Sequence, residues 1–254
     1  MPSGKNNKLD RTYHDPDFYD YLFSAVFNSS EEEILIKDLE GQTDVYLFGG
    51  ITRDHLFSSF TKHSLDETED IDIVVTELNI DTIQKYIVKR TKFGGYKLKI
   101  NGSLYDIWEL KDTWNYNKID KKINSDLVKL SKLVFFSFNT SIYWINKRLW
   151  YISREFGKSV RNEVLDIVFG QNPYPELSII RAYKYFKKYN YILSPRMKNY
   201  LKSNFDPVEL ENYQKDRYGS IRYNINDLYK YIMTNNYIQK DNVKSNQLNI
   251  LDTY

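Results

Sequence analysis

Hydrophobic and polar residues alternate with two different periods along the first half of the chain. Residues 15–30 and 29–41 have apolar positions at helical spacing, and the second of these helices is expected to begin at Ser30 and to end at Gly41. From residue 44 onward, short apolar runs typical of strands take turns with helical segments. The pattern predicts a strand over 44–48, a helix over 51–60, a strand over 70–75, a helix over 81–91 and a hairpin over 96–110 that turns at Asn101-Gly102.

The second half of the chain is predicted to be mostly helical. The predicted elements are a helix over 123–138, a hairpin over 141–153 that turns at Asn146-Lys147, a helix over 176–190 and a last helix over 226–237, with Pro195 and Pro207 separating shorter helices. Ile179, Tyr183 and Phe186 form an apolar stripe along the longest of these helices. The tail from Lys240 is expected to be disordered or loosely docked.

These elements together predict an α+β fold, with a small mixed β-sheet backed by helices and a helical region after it. We expect three segments. They are N-terminal helices over 1–43, a head domain that holds the sheet over 44–153, and a helical neck and C-terminal region over 154–254.

Composition excludes several classes of chemistry. The 254 residues include three histidines and no cysteine, which rules out disulfides, thiolate zinc sites and a cysteine nucleophile. Any bound metal must therefore be held mainly by oxygen atoms. No apolar run approaches the roughly 18 residues of a membrane span, and the first residues lack the apolar stretch of a signal peptide. We expect a cytoplasmic protein without a membrane partner.

Charge is distributed unevenly along the chain, although the net charge is only +2. Residues 1–117 carry 13 Lys and Arg against 21 Asp and Glu, whereas residues 118–254 carry 23 against 13. An acidic half followed by a basic half fits a metal-binding part followed by a part that binds a polyanion. Two solvated surfaces of opposite charge would give the same counts.

Two aspartates interrupt the apolar strand predicted over 70–75. Side chains alternate between the two faces of a strand, so Asp70 and Asp72 lie on the same face. Two neighbouring carboxylates repel each other unless a cation lies between them, and Mg²⁺ prefers carboxylate and phosphate oxygens. A two-metal site usually includes a third carboxylate, for which Asp106 on the return strand of the hairpin is the first choice and Glu109 the second.

A pair of glycines precedes the helix predicted over 51–60. Gly49 and Gly50 offer backbone N–H groups without side chains, next to the positive end of the helix, which suits a triphosphate. Arg53 and Asp54 follow on the helix, and Arg53 would face the same space. The glycines could instead only turn the chain, and Arg53 and Asp54 could form an ordinary surface ion pair.

These motifs resemble those of the polymerase-β nucleotidyltransferase superfamily, in particular the head and neck of class II CCA-adding enzymes and bacterial poly(A) polymerases. "VYLFGGITRDHL" is similar to their G-G-x-x-R-D motif and "EDIDIVV" to their metal-binding D-x-D. "FFSFNTSIYW" resembles D-F-T-I-N-A-L and places Asn139 on its asparagine, and "PELSIIRAYKYFKKYNYILS" resembles the neck helix and matches its second arginine at Arg181.

The resemblance implies an NTP substrate, Mg²⁺ or Mn²⁺, and transfer of a nucleoside monophosphate with release of pyrophosphate. Asp70 and Asp72 would hold the metals, and Asp106 would help to ionise the acceptor hydroxyl. Asp54 is the aspartate of the G-G-x-x-R-D motif. The residues expected to bind the nucleotide are Gly49, Gly50, Arg53, Asp54, Asn139 and Arg181.

The sequence departs from the family where the incoming base is read. Residues 133–135 are Leu-Val-Phe where the family has R-R-D. The Glu-Asp pair and first arginine of the neck fall on Tyr174, Pro175 and Ser178. In the family, domains after the neck bind tRNA, and we expect little of them in the sequence that follows the neck here. We therefore expect the metal chemistry to be intact. We do not expect the chain to select C, C and A in order.

A basic, tyrosine-rich segment spans residues 181–202. Its basic residues are Arg181, Lys184, Lys187, Lys188, Arg196, Lys198 and Lys202, and its tyrosines are Tyr183, Tyr185, Tyr189, Tyr191 and Tyr200. Basic side chains can follow phosphates while exposed aromatic rings stack on unpaired bases, which predicts contact with an RNA 3′ end. Part of the tyrosine set would be helix core in any case.

Three functional hypotheses remain open. The first is a nucleotidyltransferase that extends an RNA acceptor, with a tRNA 3′ end as one candidate. The second applies the same chemistry to a protein hydroxyl, as in AMPylation-like toxins of toxin–antitoxin pairs or phage-defence enzymes, where a cognate antitoxin would be a partner. The third is a catalytically silent nucleotide-binding subunit. Intact Asp70, Asp72 and Asp106 argue against the third.

Overall fold

The computed structural model describes residues 10–60, 70–92 and 94–234. The chain forms two compact units. Within the described residues, the first contains residues up to 134 together with 139–156, and the second contains 135–138 and residues from 157 onward. The tail predicted from Lys240 lies outside the described residues.

The first unit is built on a mixed sheet. Its strands are β1 (Arg11–His14), β2 (Val45–Phe48), β3 (Asp70–Val75), β4 (Ile87–Arg90), β5 (Tyr96–Ile100), β6 (Ser103–Glu109), β7 (Ser141–Trp144) and β8 (Leu149–Ile152). They lie in the order β1-β8-β7-β2-β3-β6-β5-β4. Neighbours are antiparallel except β3 and β6, which are parallel. The mixed sheet with helices confirms the predicted α+β class.

Helices connect and cover these strands. They are α1 (Pro16–Tyr21), α2 (Ser30–Gln42), α3 (Gly50–Phe60), α4 (Ile80–Ile83) and α5 (Asp126–Leu133). A capping box fixes the start of α2, because Ser29 accepts from the N–H of Glu32 and the Glu32 side chain accepts from the N–H of Ser29. The cap is thus Ser29 rather than Ser30, and the helix continues past Gly41.

The two faces of the sheet are covered by different helices. On one face, the buried Tyr105 donates its hydroxyl to Glu32 of α2 at 2.7 Å. On the other face, Tyr46 and Val74 pack in one apolar cluster with residues of α5 such as Leu130. Alternation along β3 puts Asp70 and Asp72 on the same face as Val74, so the carboxylates continue the face that α5 covers.

Two predicted elements differ from the structure. The helix predicted over 81–91 ends at Ile83, a 3-10 turn follows, and β4 occupies the rest, paired with β5. The β-branched residues at the start of β4 and the backbone groups of β5 favour a strand over continued helix. The helix predicted over 123–138 is only the eight residues of α5. The edge strand β1, with few apolar residues, was not predicted.

The second unit is mainly helical, as expected for the neck. Helix α6 (Arg154–Asn162) leads into it, followed by β9 (Val164–Leu165), α7 (Pro175–Tyr189), β10 (Ile192–Leu193), α8 (Pro195–Ser203), α9 (Pro207–Tyr218) and α10 (Ile225–Thr234). Helices α7, α8 and α9 begin with proline, whose missing N–H costs no hydrogen bond in the first turn.

The apolar stripe predicted on α7 lies in the core of this unit. Ile179 and Tyr183 are buried, and Phe186 stacks on Tyr231 of α10 with 4.6 Å between ring centroids. In the part of the chain that the structure describes, every helix is too short or too polar to span a bilayer.

Candidate active site

Three aspartates lie on one face of the sheet because of strand register. Asp70 and Asp72 are two residues apart on β3, and Asp72 is directly opposite Asp106 on the parallel strand β6. Neighbouring strands are about 4.8 Å apart, so the last two carboxylates extend from adjacent backbones in the same direction. The structure thus brings together the three aspartates that the sequence singled out.

The second-choice carboxylate points the other way. Glu109 is three residues beyond Asp106 on β6, and an odd separation along a strand reverses the face. Its carboxylate pairs with Lys111 instead. Glu109 is therefore the wrong choice for a third carboxylate on the face of Asp106.

Gly49 lies against the central carboxylate. Its φ is +78°, a left-handed conformation that glycine adopts without strain. A Cβ built on Gly49 would lie 2.1 Å from Oδ2 of Asp72, so a side chain at this position would displace the carboxylate. Gly50 then begins α3, and the Gly49 carbonyl accepts from the N–H of Arg53 at 3.2 Å. The glycine pair therefore places the start of α3 beside the carboxylate of Asp72.

Arg53 is held by side-chain hydrogen bonds rather than by solvent. Its Nε and one terminal nitrogen donate to the two carboxylate oxygens of Asp54 at 2.7 and 2.9 Å, and the other terminal nitrogen donates to Oδ1 of Asn139 at 3.3 Å. The side chains of Arg53 and Asp54 are only 12% and 7% exposed. The structure thus joins three of the predicted nucleotide-binding residues in one network, and the Arg53–Asp54 pair is buried rather than a surface ion pair.

Lys97 is a site residue that the sequence reasoning missed. It lies on β5 directly opposite Asp106. Its ammonium is 2.9 and 3.0 Å from the two oxygens of Asp106 and 3.4 Å from Oδ2 of Asp70. Burial alone lowers the pKa of Lys97, but the hydrogen bond and charge of Asp106, with those of Asp70, raise it above its usual value. Lys97 is therefore a cation between two of the three carboxylates.

The carboxylates do not form a complete metal cage. Among the described residues, no three His, Asp or Glu side chains are arranged to hold a metal ion by themselves. Mg²⁺ commonly binds through one or two carboxylates, with substrate phosphates and water as the other ligands. Asp70 and Asp72 offer such a pair of oxygen ligands.

The remaining predicted residues belong to the second unit. Arg181, Lys184 and Lys187 on α7 and Arg196 on α8 are exposed, whereas Lys188 and Lys198 are half-buried. Charged neighbours act on two of these residues. Arg196 lies 3.4 Å from Asp166. Burial, and to a smaller extent the charge of Lys202, lowers the pKa of Lys198.

Most tyrosines of the basic segment are core residues. Tyr185, Tyr189 and Tyr191 are buried and pack around Phe138 with ring centroids 5.1 to 5.9 Å apart. Tyr183 is buried as well, so of the five only Tyr200 is partly exposed. The base-stacking role expected for this set is therefore not available to four of its members in this conformation.

Tyr174, Pro175 and Ser178, which the sequence analysis set against base-reading residues, have structural roles here. Tyr174 and Pro175 form the N-terminal boundary of α7. Ser178 is fully buried, and its hydroxyl accepts from the Asn172 amide at 2.6 Å. The hydroxyl of Ser178 is buried and bonded inside the protein, so it is not exposed to a nucleotide base.

Comparison with known proteins shows similarity at the level of the fold. No family model and no curated protein matches the sequence. Among solved structures, an apo tRNA-processing enzyme matches with a TM-score of 0.54 and 19% identity over 80% of this chain and 56% of that one. A CCA-adding enzyme with CTP matches with a TM-score of 0.52 and 18% identity over 80% of this chain and 48% of that one.

A tRNA nucleotidyltransferase complexed with a primer tRNA and an incoming ATP analogue also matches. Its TM-score is 0.52, with 17% identity over 79% of this chain and 62% of that one. The chain thus spans about half the length of the solved structures that it resembles. It has a nucleotidyltransferase-like fold, similar to that of CCA-adding enzymes.

Proposed function

We propose that this chain is a Mg²⁺-dependent nucleotidyltransferase that transfers a nucleoside monophosphate from an NTP to an RNA acceptor and releases pyrophosphate. The observation that carries the proposal is the placement of Asp70, Asp72 and Asp106 on one face, with Gly49 packed against Asp72. The similar solved structures include complexes with CTP, ATP and a primer tRNA, which supports this class of substrates.

The donor set suits a hard divalent ion completed by substrate. Asp70 and Asp72 supply carboxylate oxygens, and the absence of a side chain at Gly49 leaves room for the carboxylate of Asp72. Bound Mg²⁺ would neutralise charge on the transferring phosphoryl group and polarise the acceptor hydroxyl. These two aspartates are the residues that would hold it.

The start of α3 would bind the triphosphate. The first N–H groups of a helix have no intrahelical acceptor and carry the positive end of the helix dipole, so they attract phosphate oxygens. Gly50 begins this helix, and Gly49 directly before it lies against Asp72. Arg53 lies in the first turn, and its contacts with Asp54 and Asn139 keep the guanidinium oriented in the absence of nucleotide.

Asp106 would orient the acceptor hydroxyl and accept its proton. It lies beside Asp72 in register, so a hydroxyl placed at Asp106 would be near a phosphorus atom held at Asp72. In the second unit, the exposed basic residues Arg181, Lys184 and Lys187 on α7 would bind RNA phosphates.

A protein hydroxyl is the second candidate acceptor. Tyr174, Pro175 and Ser178 replace the family's base-reading residues, and Ser178 is fully buried. A site without that template is less suited to ordered addition of C, C and A. This observation favours an acceptor other than a standard tRNA end, and a toxin or phage-defence enzyme would use the same carboxylates.

Label transfer distinguishes these acceptors. The purified chain is incubated with Mg²⁺, each α-labelled NTP in turn, and a mixture of total RNA and cell protein, beside the Asp70→Asn/Asp72→Asn variant. Label in RNA that is absent with the variant supports the proposal and identifies the base. Label in protein instead supports the second candidate. Nucleotide binding without any label transfer would refute both and leave a silent nucleotide-binding subunit.

A further inference from the structure

The ammonium of Lys97 occupies a position where a metal ion would be expected. It contacts both oxygens of Asp106 at 2.9 and 3.0 Å and Oδ2 of Asp70 at 3.4 Å. The two-residue turn at Asn101-Gly102 places Lys97 opposite Asp106 on the adjacent strand, so this contact follows from the sheet itself. Only 35% of the side chain of Lys97 is exposed.

We propose that Lys97 is a built-in cation that takes the place of one of the two divalent ions at this site. The inference rests on the proposed function, because it concerns the same carboxylates. A fixed positive charge between Asp70 and Asp106 relieves their repulsion. A divalent ion that bound the oxygens of Asp106 and Oδ2 of Asp70 would compete with the ammonium for them.

Lys97 is thus a positioning residue that acts through Asp106. It keeps the carboxylate of Asp106 oriented in the absence of metal and lowers the number of divalent ions that the site takes. Lys97 is covalently part of the sheet and cannot dissociate as a metal ion can. Its compensation of the negative charge of Asp70 and Asp106 is therefore independent of the Mg²⁺ concentration.

Counting bound Mn²⁺ tests this directly, with no nucleotide present. Free Mn²⁺ is measured by electron paramagnetic resonance during titration of the wild type and of Lys97→Met, Lys97→Arg and Lys99→Met. Lys99 is the matched control, because it lies two residues along the same strand and is exposed. We expect Lys97→Met to bind one more Mn²⁺ per chain than the wild type, and the other two variants to bind the same number as the wild type.

The melting temperature is a second measurement, which shows whether the variant is folded. Without divalent ions, Lys97→Met should have a lower melting temperature than the wild type, and Mn²⁺ should raise it more than it raises that of Lys99→Met. An unchanged Mn²⁺ count in a folded Lys97→Met chain would overturn the inference. Failure of the proposed function is read separately, as absence of label transfer by the wild type, and does not alter the ion count.

Discussion

Replacing Gly49 by alanine tests the contact on which the site depends. Gly49 has φ of +78°, and a Cβ there would lie 2.1 Å from Oδ2 of Asp72. Two separate effects are therefore expected from one methyl group. The first is backbone strain in the left-handed conformation, and the second is displacement of the carboxylate.

Each of the two effects has an expected size. Left-handed backbone costs an L-residue about 1–2 kcal/mol relative to glycine. Ordinary van der Waals contact begins at 3.4 Å, so Oδ2 of Asp72 must move by about 1.3 Å from its 2.1 Å distance to the new Cβ. A carboxylate displaced by that distance cannot keep Mg²⁺–oxygen distances of about 2.0–2.1 Å. A shift of about 1 Å in a catalytic group can reduce the rate by about 100-fold.

Gly219→Ala is the matched control. Gly219 has φ of +73°, almost the same as Gly49, and a Cβ there would meet no atom within 4 Å. Urea denaturation should show a loss of about 1–2 kcal/mol for the control and at least that for Gly49→Ala. Binding of Mn²⁺ by paramagnetic resonance and label transfer from NTP should be reduced only in Gly49→Ala, the latter by about 100-fold. Equal metal binding and equal transfer by the two variants would refute the role given to Gly49.

Three further predictions concern other parts of the chain. Glu32→Gln should lower the free energy of unfolding by about 1–3 kcal/mol in urea denaturation, because Glu32 is fully buried and accepts from Tyr105; an unchanged value would contradict this. Burial lowers the pKa of His55 although Asp15 opposes it, so the unfolded chain binds the proton more tightly. Stability should therefore fall as pH drops below about 6.5, and melting temperatures of His55→Phe between pH 5 and 8 should lack this loss. Lys184→Gln with Lys187→Gln should weaken binding of single-stranded RNA and reduce its log–log salt slope by about 1.4, measured by fluorescence anisotropy, with Mn²⁺ binding unchanged.

The strand that carries the aspartates was predictable because its signals are local. The apolar run over 70–75 predicts the bounds that β3 has, and the period of two places Asp70 and Asp72 on one face. The hairpin turn at Asn101-Gly102 was predictable for the same reason, with φ of +46° and +98° at its two residues.

Lys97 could have been found by the same reasoning. A two-residue turn at 101–102 fixes the register of the hairpin and pairs residue 97 with residue 106. The charge of the lysine opposite Asp106 was therefore present as a signal in the sequence.

Other features depend on contacts that are distant in sequence. The parallel pairing of β3 with β6 sets Asp72 beside Asp106, and no local pattern specifies that partner. Strand β4 was predicted as helix, because its strand identity depends on pairing with β5. The bidentate contact of Arg53 with Asp54 was also unexpected as a buried pair, since adjacent residues on a helix do not normally face each other.

Pyrophosphate release by single variants of the carboxylates tests the central claim most directly. Asp70→Asn, Asp72→Asn and Asp106→Asn are compared with Glu109→Gln, whose carboxylate lies on the opposite face of β6. With Mg²⁺, NTP and the acceptor identified by label transfer, we predict a loss of about 100-fold or more for each of the three aspartate variants and near wild-type release for Glu109→Gln. Wild-type release by Asp72→Asn, or an equal loss in Glu109→Gln, would contradict the account.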